Sequence, residues 1–187
     1  MIENAKLADH ETSELVTTYL EMRSPDQLRP KRADERFQVR EEIDGDWRFN
    51  RDLYFRVGKQ WRWIDKRPWS DEQWKEYASA PELRTFAAYY HDHLVGYYEL
   101  CGESEPDPPS PGVRRDKRDE IEIAYFGLLP EFTGRGLGGA LLTSAIEEAW
   151  RTSPTPSRVW VHTCNRDHPQ ALANYQARGM TVYKIER

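Results

Sequence analysis

Leu137, Leu141, Leu142, Ala145, Ile146 and Ala149 recur at helical spacing, while Thr143, Glu147, Glu148 and Arg151 occupy the other face. They predict an amphipathic helix that Pro154 and Pro156 bring to an end. Just before it, residues 121–129 are rich in β-branched and aromatic side chains and predict a strand. Residues 85–90 and 94–100 read as two strands joined by the polar turn His91-Asp92-His93, an antiparallel hairpin. Val159 and Val161 alternate with Trp160 and His162 across 158–163, which gives another strand, and residues 180–185 give a last one. Between these two, Pro169 suits a first helical turn capped by Asp167 or His168, and the short helix stops at Gly179.

The N-terminal part has weaker periodicity. Val16, Tyr19 and Leu20 allow a strand over 15–22, stopped by Ser24-Pro25, and Phe37, Val39 and Ile43 mark another extended segment. Leu53, Tyr54 and Val57 mark a helix over 50–57. Ser70 and Gln73 form a capping-box pattern, with Trp69 and Trp74 at staple positions, so a helix starts there and carries Trp74, Tyr77 and Ala78 on its apolar face. Residues 1–12 are charged and expected to fray. Residues 103–119 hold Pro106, Pro108, Pro109, Pro111 and Gly112 among charges, the pattern of an exposed, mobile connection.

At 187 residues the whole of 1–187 reads as one domain with a substantial core. The net charge of -5 comes from interspersed acids and bases, so no nucleic-acid partner is expected, and Arg114-Arg115-Asp116-Lys117-Arg118 reads as a solvated loop. No apolar run approaches the span of a bilayer, and Met1-Ile2-Glu3-Asn4-Ala5 lacks the basic region and apolar core of a signal peptide. A cytoplasmic protein without a membrane partner is expected. Cys101 and Cys164 fit reduced thiols. His91 and His93 lack further ligands at metal-binding spacing, so no metal is expected. Of seven tryptophans, Trp61, Trp63, Trp69 and Trp74 crowd one short region, which suits either core or a ligand pocket.

The candidate chemistry lies between the 121–129 strand and the helix after it. Phe132-Thr133-Gly134-Arg135-Gly136-Leu137-Gly138-Gly139 is a glycine-rich turn feeding a helix start, where main-chain N–H groups lack intrahelical partners and the helix dipole adds positive charge. Glycines let an anion approach those donors, and Arg135 adds a cation. A Walker A loop would need Lys-Ser or Lys-Thr after its last glycine, which is missing. Gly134, Gly136 and Gly139 satisfy a dinucleotide fingerprint, yet the nearest acid, Asp167, stands too far on and too little chain follows for a doubly wound sheet.

The third reading is acyl-coenzyme A. The turn resembles the signature of the GNAT superfamily of acyl-coenzyme A dependent N-acyltransferases, which is Gln or Arg, two residues, Gly, one residue, then Gly or Ala. Those positions are Thr133, Gly136 and Gly138 here, with Thr133 departing from the pattern. Residues 120–131 resemble the family's fourth strand and its exit, and residues 167–180, with Tyr175, its final helix and strand. The resemblance implies an α/β (α+β) fold: a mixed, mainly antiparallel central sheet flanked by helices, with a V-shaped splay between the fourth and fifth strands. It also implies acetyl-coenzyme A as cosubstrate. Its pyrophosphate would lie at Thr133, Gly134, Arg135, Gly136, Leu137, Gly138 and Gly139, its pantetheine amides would pair with the main chain of Phe126, Gly127 and Leu128, and Asn174 would stand nearby.

Moving an acetyl group from a thioester to an amine requires a base for the amine, donors for the oxyanion and a proton for a thiolate of free pKa about 8.5. The resemblance offers Glu122 as base, Glu120 as a second carboxylate acting through water, a main-chain N–H near Leu128 for the oxyanion, and Tyr175 as acid. Even spacing is expected to place Glu122 with Ala124 and Phe126 on one strand face. His162 and Cys164 alternate along a strand with nothing in the sequence to orient the imidazole, so packing or edge positions are expected. His168 reads as a helix-start residue. The expected partner is an amine on a small molecule or an exposed protein surface. The competing class is a non-catalytic coenzyme-binding sensor, and the choice between monomer and homodimer stays open.

Overall fold

The computed structural model describes residues 14–61, 63–102 and 120–187. The expectations for residues 1–12 and for the 103–119 connection, including its basic cluster, fall outside the described residues. In chain order the elements are β1 (Thr17–Met22), β2 (Phe37–Glu42), α1 (Trp47–Gly58), α2 (Asp71–Ala78), β3 (Leu83–Tyr90), β4 (His93–Gly102), β5 (Glu120–Leu128), α3 (Gly138–Trp150), β6 (Arg158–Cys164), α4 (Ala171–Ala177) and β7 (Thr181–Glu186). The strands make one sheet in the order β2-β3-β4-β5-β6-β1-β7, in which every pair is antiparallel except β5–β6. This is the mixed, mainly antiparallel sheet flanked by helices that the resemblance implies.

Local signals account for most of the elements. At α2 the Ser70 hydroxyl accepts from the Gln73 N–H at 3.3 Å, the Gln73 side chain accepts from the Ser70 N–H at 2.9 Å, and the Trp69 and Trp74 rings meet at 5.3 Å. His91 and Asp92 take positive φ, 50° and 62°, which closes the β3–β4 hairpin with the twist its strands need. The α3 stripe of Leu141, Leu142, Ala145, Ile146 and Ala149 is fully buried against Leu20, Leu100, Ile123, Val159 and Val161. Burial of each leucine or isoleucine there contributes about 1.5–3 kcal/mol. On the opposite face of the sheet, α1 and α2 bury Leu53, Tyr54, Val57 and Trp74.

The structure corrects two expectations and divides an alternative left open. The β4–β5 register runs Glu99↔Tyr125 and then Leu100↔Ile123, so Ala124 is bulged out of the ladder. The bulge reverses the alternation: Phe126 packs on the α3 side with Tyr175, and it is Tyr125 that continues the α1 side, the face of Glu122 and Glu120. Second, α4 begins at Ala171 behind Gln170 without a side-chain cap. Of the two expected caps, Asp167 turns to β6 and accepts from the Thr163 hydroxyl at 2.8 Å and the Cys164 N–H at 2.9 Å, while His168 Nδ1 accepts from the Gln170 N–H at 3.1 Å. Third, the four crowded tryptophans divide: Trp74 is core at 1% exposure with Trp69 against it, whereas Trp61 and Trp63 stay half-buried.

The placement of β1 was not readable from periodicity. It lies between β6 and β7, antiparallel to both, and the chain leaving it crosses the end of α4. There the Arg29 N–H donates to Arg178 O at 3.0 Å and the Lys31 N–H donates to Thr143 Oγ1 at 2.9 Å. Gly179 allows the crossing, because it sits at φ +98° and a Cβ would lie 2.0 Å from Gln27 O. Gly179→Ala is therefore expected to lower unfolding free energy by at least about 2 kcal/mol in urea melts.

Candidate active site

The parallel β5–β6 ladder runs only from Glu120↔Arg158 to Glu122↔Trp160. Beyond it the strands diverge, and the space between residues 123–128 and 161–164 becomes part of a groove of about 1160 Å³. The V-shaped splay expected of the fold is this opening.

Ladder alternation decides which main-chain groups face the opening. The Leu129 N–H donates to Val95 O at 2.8 Å, so that pair is hydrogen-bonded. Leu128 pairs with Gly96 and Phe126 with Tyr98 in the same register, which puts both on the alternate, non-bonded rungs. Their N–H and C=O groups point away from β4, toward the groove.

One end of the groove is the glycine turn. Gly134 and Gly136 both take φ +80°, and Thr133, Gly134, Gly136, Gly138 and Gly139 line the space before α3 begins. Two cations that sequence reading missed reach it. A Cβ on Gly139 would lie 2.6 Å from Lys31 Cδ and 2.4 Å from Arg178 Nη1, so only a glycine lets those side chains lie across the helix start. Lys31 arrives on the segment after β1 and Arg178 from the end of α4. Their sequence positions are remote from the turn, and only the β1 insertion brings Lys31 near. Of the expected coenzyme positions, Phe126, Gly127, Leu128 and Asn174 also line the groove, with Asn174 Nδ2 donating to Gly138 O at 3.3 Å. Arg135 instead lies over the Phe132 ring at 5.1 Å, and Leu137 is core at 6% exposure; neither is on the lining. The Thr133 hydroxyl turns back to Leu129 O at 3.5 Å.

At the splay the candidates separate. Glu120 is bound to Arg158, which also reaches Glu21 at 3.2 Å, and Glu120 is off the lining. Glu122 is off the lining too, but its Oε1 lies 3.2 Å from Nδ1 of His162, and His162 does line the groove. The imidazole therefore has the orienting partner that the sequence alone did not reveal. The Tyr19 and Trp160 rings flank it at 5.7 and 6.3 Å. The Glu122 carboxylate raises the His162 pKa above its ordinary 6.5; burial opposes this, and Asp167 and Asp65 add to it. Tyr175 lines the opposite wall, its ring 6.0 Å from that of Phe126, and burial raises its phenol well above the ordinary range. Cys164 also lines the groove, with its thiol pushed up by burial, which disfavours a thiolate nucleophile.

The far end is walled by Trp61, Trp63, Ile64, Asp65 and Tyr125, with Leu15 and Thr17 from the β1 side. Trp61 meets His168 across the groove at 4.9 Å.

A model of the acetyltransferase (GNAT) family matches residues 39–180. The chain belongs to the GNAT family. A search of curated proteins found no match. Among solved structures, the chain is similar to a GCN5-related N-acetyltransferase from Sphaerobacter thermophilus, with TM-score 0.64, 16% identity, and coverage of 99% of this chain and 54% of that one. It is also similar to a GCN5-related N-acetyltransferase from Kribbella flavida, with TM-score 0.60, 11% identity, and coverage of 97% and 60%. An aminoglycoside acetyltransferase from an uncultured soil metagenomic sample aligns with TM-score 0.56, 14% identity, and coverage of 78% and 88%. At these identities the likeness carries the fold. The chain spans little more than half the length of the first two.

In this GNAT chain the Glu122–His162 contact gives a direct spectroscopic test. An adjacent carboxylate favours the imidazolium, so Glu122→Gln is expected to move the His162 titration midpoint downward in an NMR pH series. An unmoved midpoint would show that the two groups do not interact.

Proposed function

We propose that the chain is an acyl-coenzyme A dependent N-acetyltransferase that transfers an acetyl group from acetyl-coenzyme A to a primary amine on a small molecule or an exposed protein surface. The observation that carries this reading is one continuous groove. It runs from a glycine turn with two cations, along a strand edge with free main-chain groups, to an aromatic end holding a carboxylate, with His162 and Tyr175 at the junction. Lys31, Arg178 and the N–H groups at the start of α3 fit a pyrophosphate. The alternate N–H and C=O groups of Phe126 and Leu128 fit the two amides of a pantetheine arm laid alongside β5. The donor is therefore held in place of the missing β5–β6 rungs.

His162 is the proton acceptor in this proposal, with Glu122 holding it rather than meeting the amine itself. With Nδ1 turned to Glu122, Nε2 is the nitrogen left to take a proton. The amine attacks the thioester carbonyl, a C–N bond forms and the amine proton passes to His162. The Leu128 N–H faces the developing oxyanion. The C–S bond then breaks, and Tyr175, kept protonated by burial, gives its proton to the departing thiolate. Imidazole accepts a proton only when neutral, so the rate rises with pH through the His162 pKa. Glu122 sets that limb high, and Asp167 and Asp65 reinforce it.

Thiol release from acetyl-coenzyme A across a panel of amines tests the activity: turnover is expected, whereas coenzyme binding with no turnover on any amine would favour the sensor class. His162→Gln is expected to lower kcat by roughly 100-fold or more with little change in KM for acetyl-coenzyme A. Glu122→Gln should cost about 10-fold and move the ascending pH limb downward. Equal losses in the two variants with an unmoved limb would make Glu122 the base itself. Tyr175→Phe is expected to lower kcat without weakening coenzyme binding, and an unaltered kcat would remove it as the acid.

A further inference from the structure

Asp65 stands in the α1–α2 connection at the far end of the groove, and beyond its distant charge effect on His162 the proposed chemistry gives it no contact with either reactant. Its Oδ1 accepts from the Tyr54 hydroxyl at 2.8 Å and its Oδ2 from the Tyr125 hydroxyl at 2.5 Å. Burial opposes ionisation there, but the Tyr125 and Tyr54 hydroxyls and Lys66 outweigh it, so the carboxyl is held below its ordinary range. A carboxylate has about four acceptor positions, so two hydroxyls leave capacity unused. The side chain is 58% exposed and lines the groove.

The neighbouring cation takes part of that capacity from below. Lys66 Nζ lies 3.6 Å from Asp65 Oδ2, but it is only 12% exposed and is drawn beneath the surface by the Trp69, Tyr77 and Tyr125 rings at 4.1, 4.4 and 5.1 Å. A second carboxylate faces it there: Glu99, fully buried on β4, accepts from Asn50 Nδ2 at 2.8 Å and from the Tyr77 hydroxyl. Burial opposes ionisation of Glu99, so Lys66 is shared between Glu99 below the groove floor and Asp65 at it. Above it, Asp65 is rimmed by Trp61, Trp63, Ile64 and Tyr125. A fixed carboxylate among aromatic faces attracts a cation with an apolar body, through charge and through the ring quadrupoles.

The site is separate from the base. Tyr125, which holds Asp65, is three positions along β5 from Glu122, which holds His162. Because Ala124 is bulged out, those positions are two ladder rungs apart, roughly 7 Å of strand. A short aminoalkyl chain spans that offset, with one cationic end at Asp65 and its other amine at His162.

We propose that Asp65 and its aromatic rim form an acceptor subsite for a second cationic group, so that the preferred acceptors are diamines or aminoalkyl cations whose other amine is acetylated. This rests on the acetyltransferase reading for the chemistry, and its test does not need turnover. Matched α,ω-diaminoalkanes and 1-aminoalkanes of equal chain length are titrated into the protein with coenzyme A present, followed by calorimetry and by tryptophan fluorescence, which Trp61 and Trp63 report. The diamine is expected to bind at least about 10-fold more tightly than the monoamine. Asp65→Asn, which keeps one acceptor for a tyrosine hydroxyl and offers an N–H to the other, is expected to erase that ratio while circular dichroism shows the fold retained. A diamine preference that survives Asp65→Asn, or equal binding of both amines to the wild type, overturns the proposal. Diamine binding without acetylation would leave the subsite standing and defeat the acetyltransferase reading.

Discussion

Three rungs of parallel pairing hold β5 and β6 together, and the sheet opens beyond them. A main-chain polar group shielded from water without a partner costs about 1–3 kcal/mol, so an opened sheet needs something to occupy it. Among the described residues the opening stays a groove instead of being filled with side chains, so its main-chain groups are left for solvent or a ligand. Every other part of the site follows from this. The α3 start faces one end because the chain leaving β5 passes directly into the glycine turn, and α4 flanks the opening because β6 ends there. The α1–α2 connection closes the far end through aromatic packing of Trp63 on Tyr54 and Tyr125 at 5.6 and 5.0 Å.

The strand bulge at Ala124 is the second constraint. Without it, β5 would present Phe126 on the face of Glu122 and bury Tyr125 under α3. With it, Phe126 meets Tyr175, and Tyr125 turns to the opposite face, where its hydroxyl reaches Asp65. One extra residue thus divides the two sides of the sheet: apolar packing and the glycine turn on the α3 side, and polar and aromatic side chains on the α1 side. The α1 side is correspondingly unusual for a core. It carries Glu99, Asn50, Lys66 and four tyrosines, and the buried Tyr97 hydroxyl has no hydrogen-bond partner.

Local pattern made much of this legible. The α3 stripe, the Ser70 capping box and the β3–β4 hairpin are each set by residues close in sequence, and the glycine turn showed where an anion could sit. What the sequence did not disclose are contacts that depend on register and on strand insertion. Glu122 and His162 meet only because Glu122 pairs with Trp160 across the short parallel ladder. Lys31 reaches the turn only because β1 lies between β6 and β7. Asp65 carries no motif of its own in the tryptophan-rich stretch. Its neighbour Tyr125 would have signalled it only to a reader who knew where the bulge falls, since strict alternation assigns that tyrosine to the other face.

The central claim is that the open β5 edge and the glycine turn together hold one coenzyme. Amide hydrogen exchange with and without coenzyme A tests it most directly, at occupancy established by calorimetry. The account expects slower exchange at residues 126 and 128 and across 134–139 in the same titration, with residue 127, whose main chain faces β4, little changed. Saturating coenzyme that protects the turn but leaves 126 and 128 unprotected, or slows exchange only outside the groove, would contradict it.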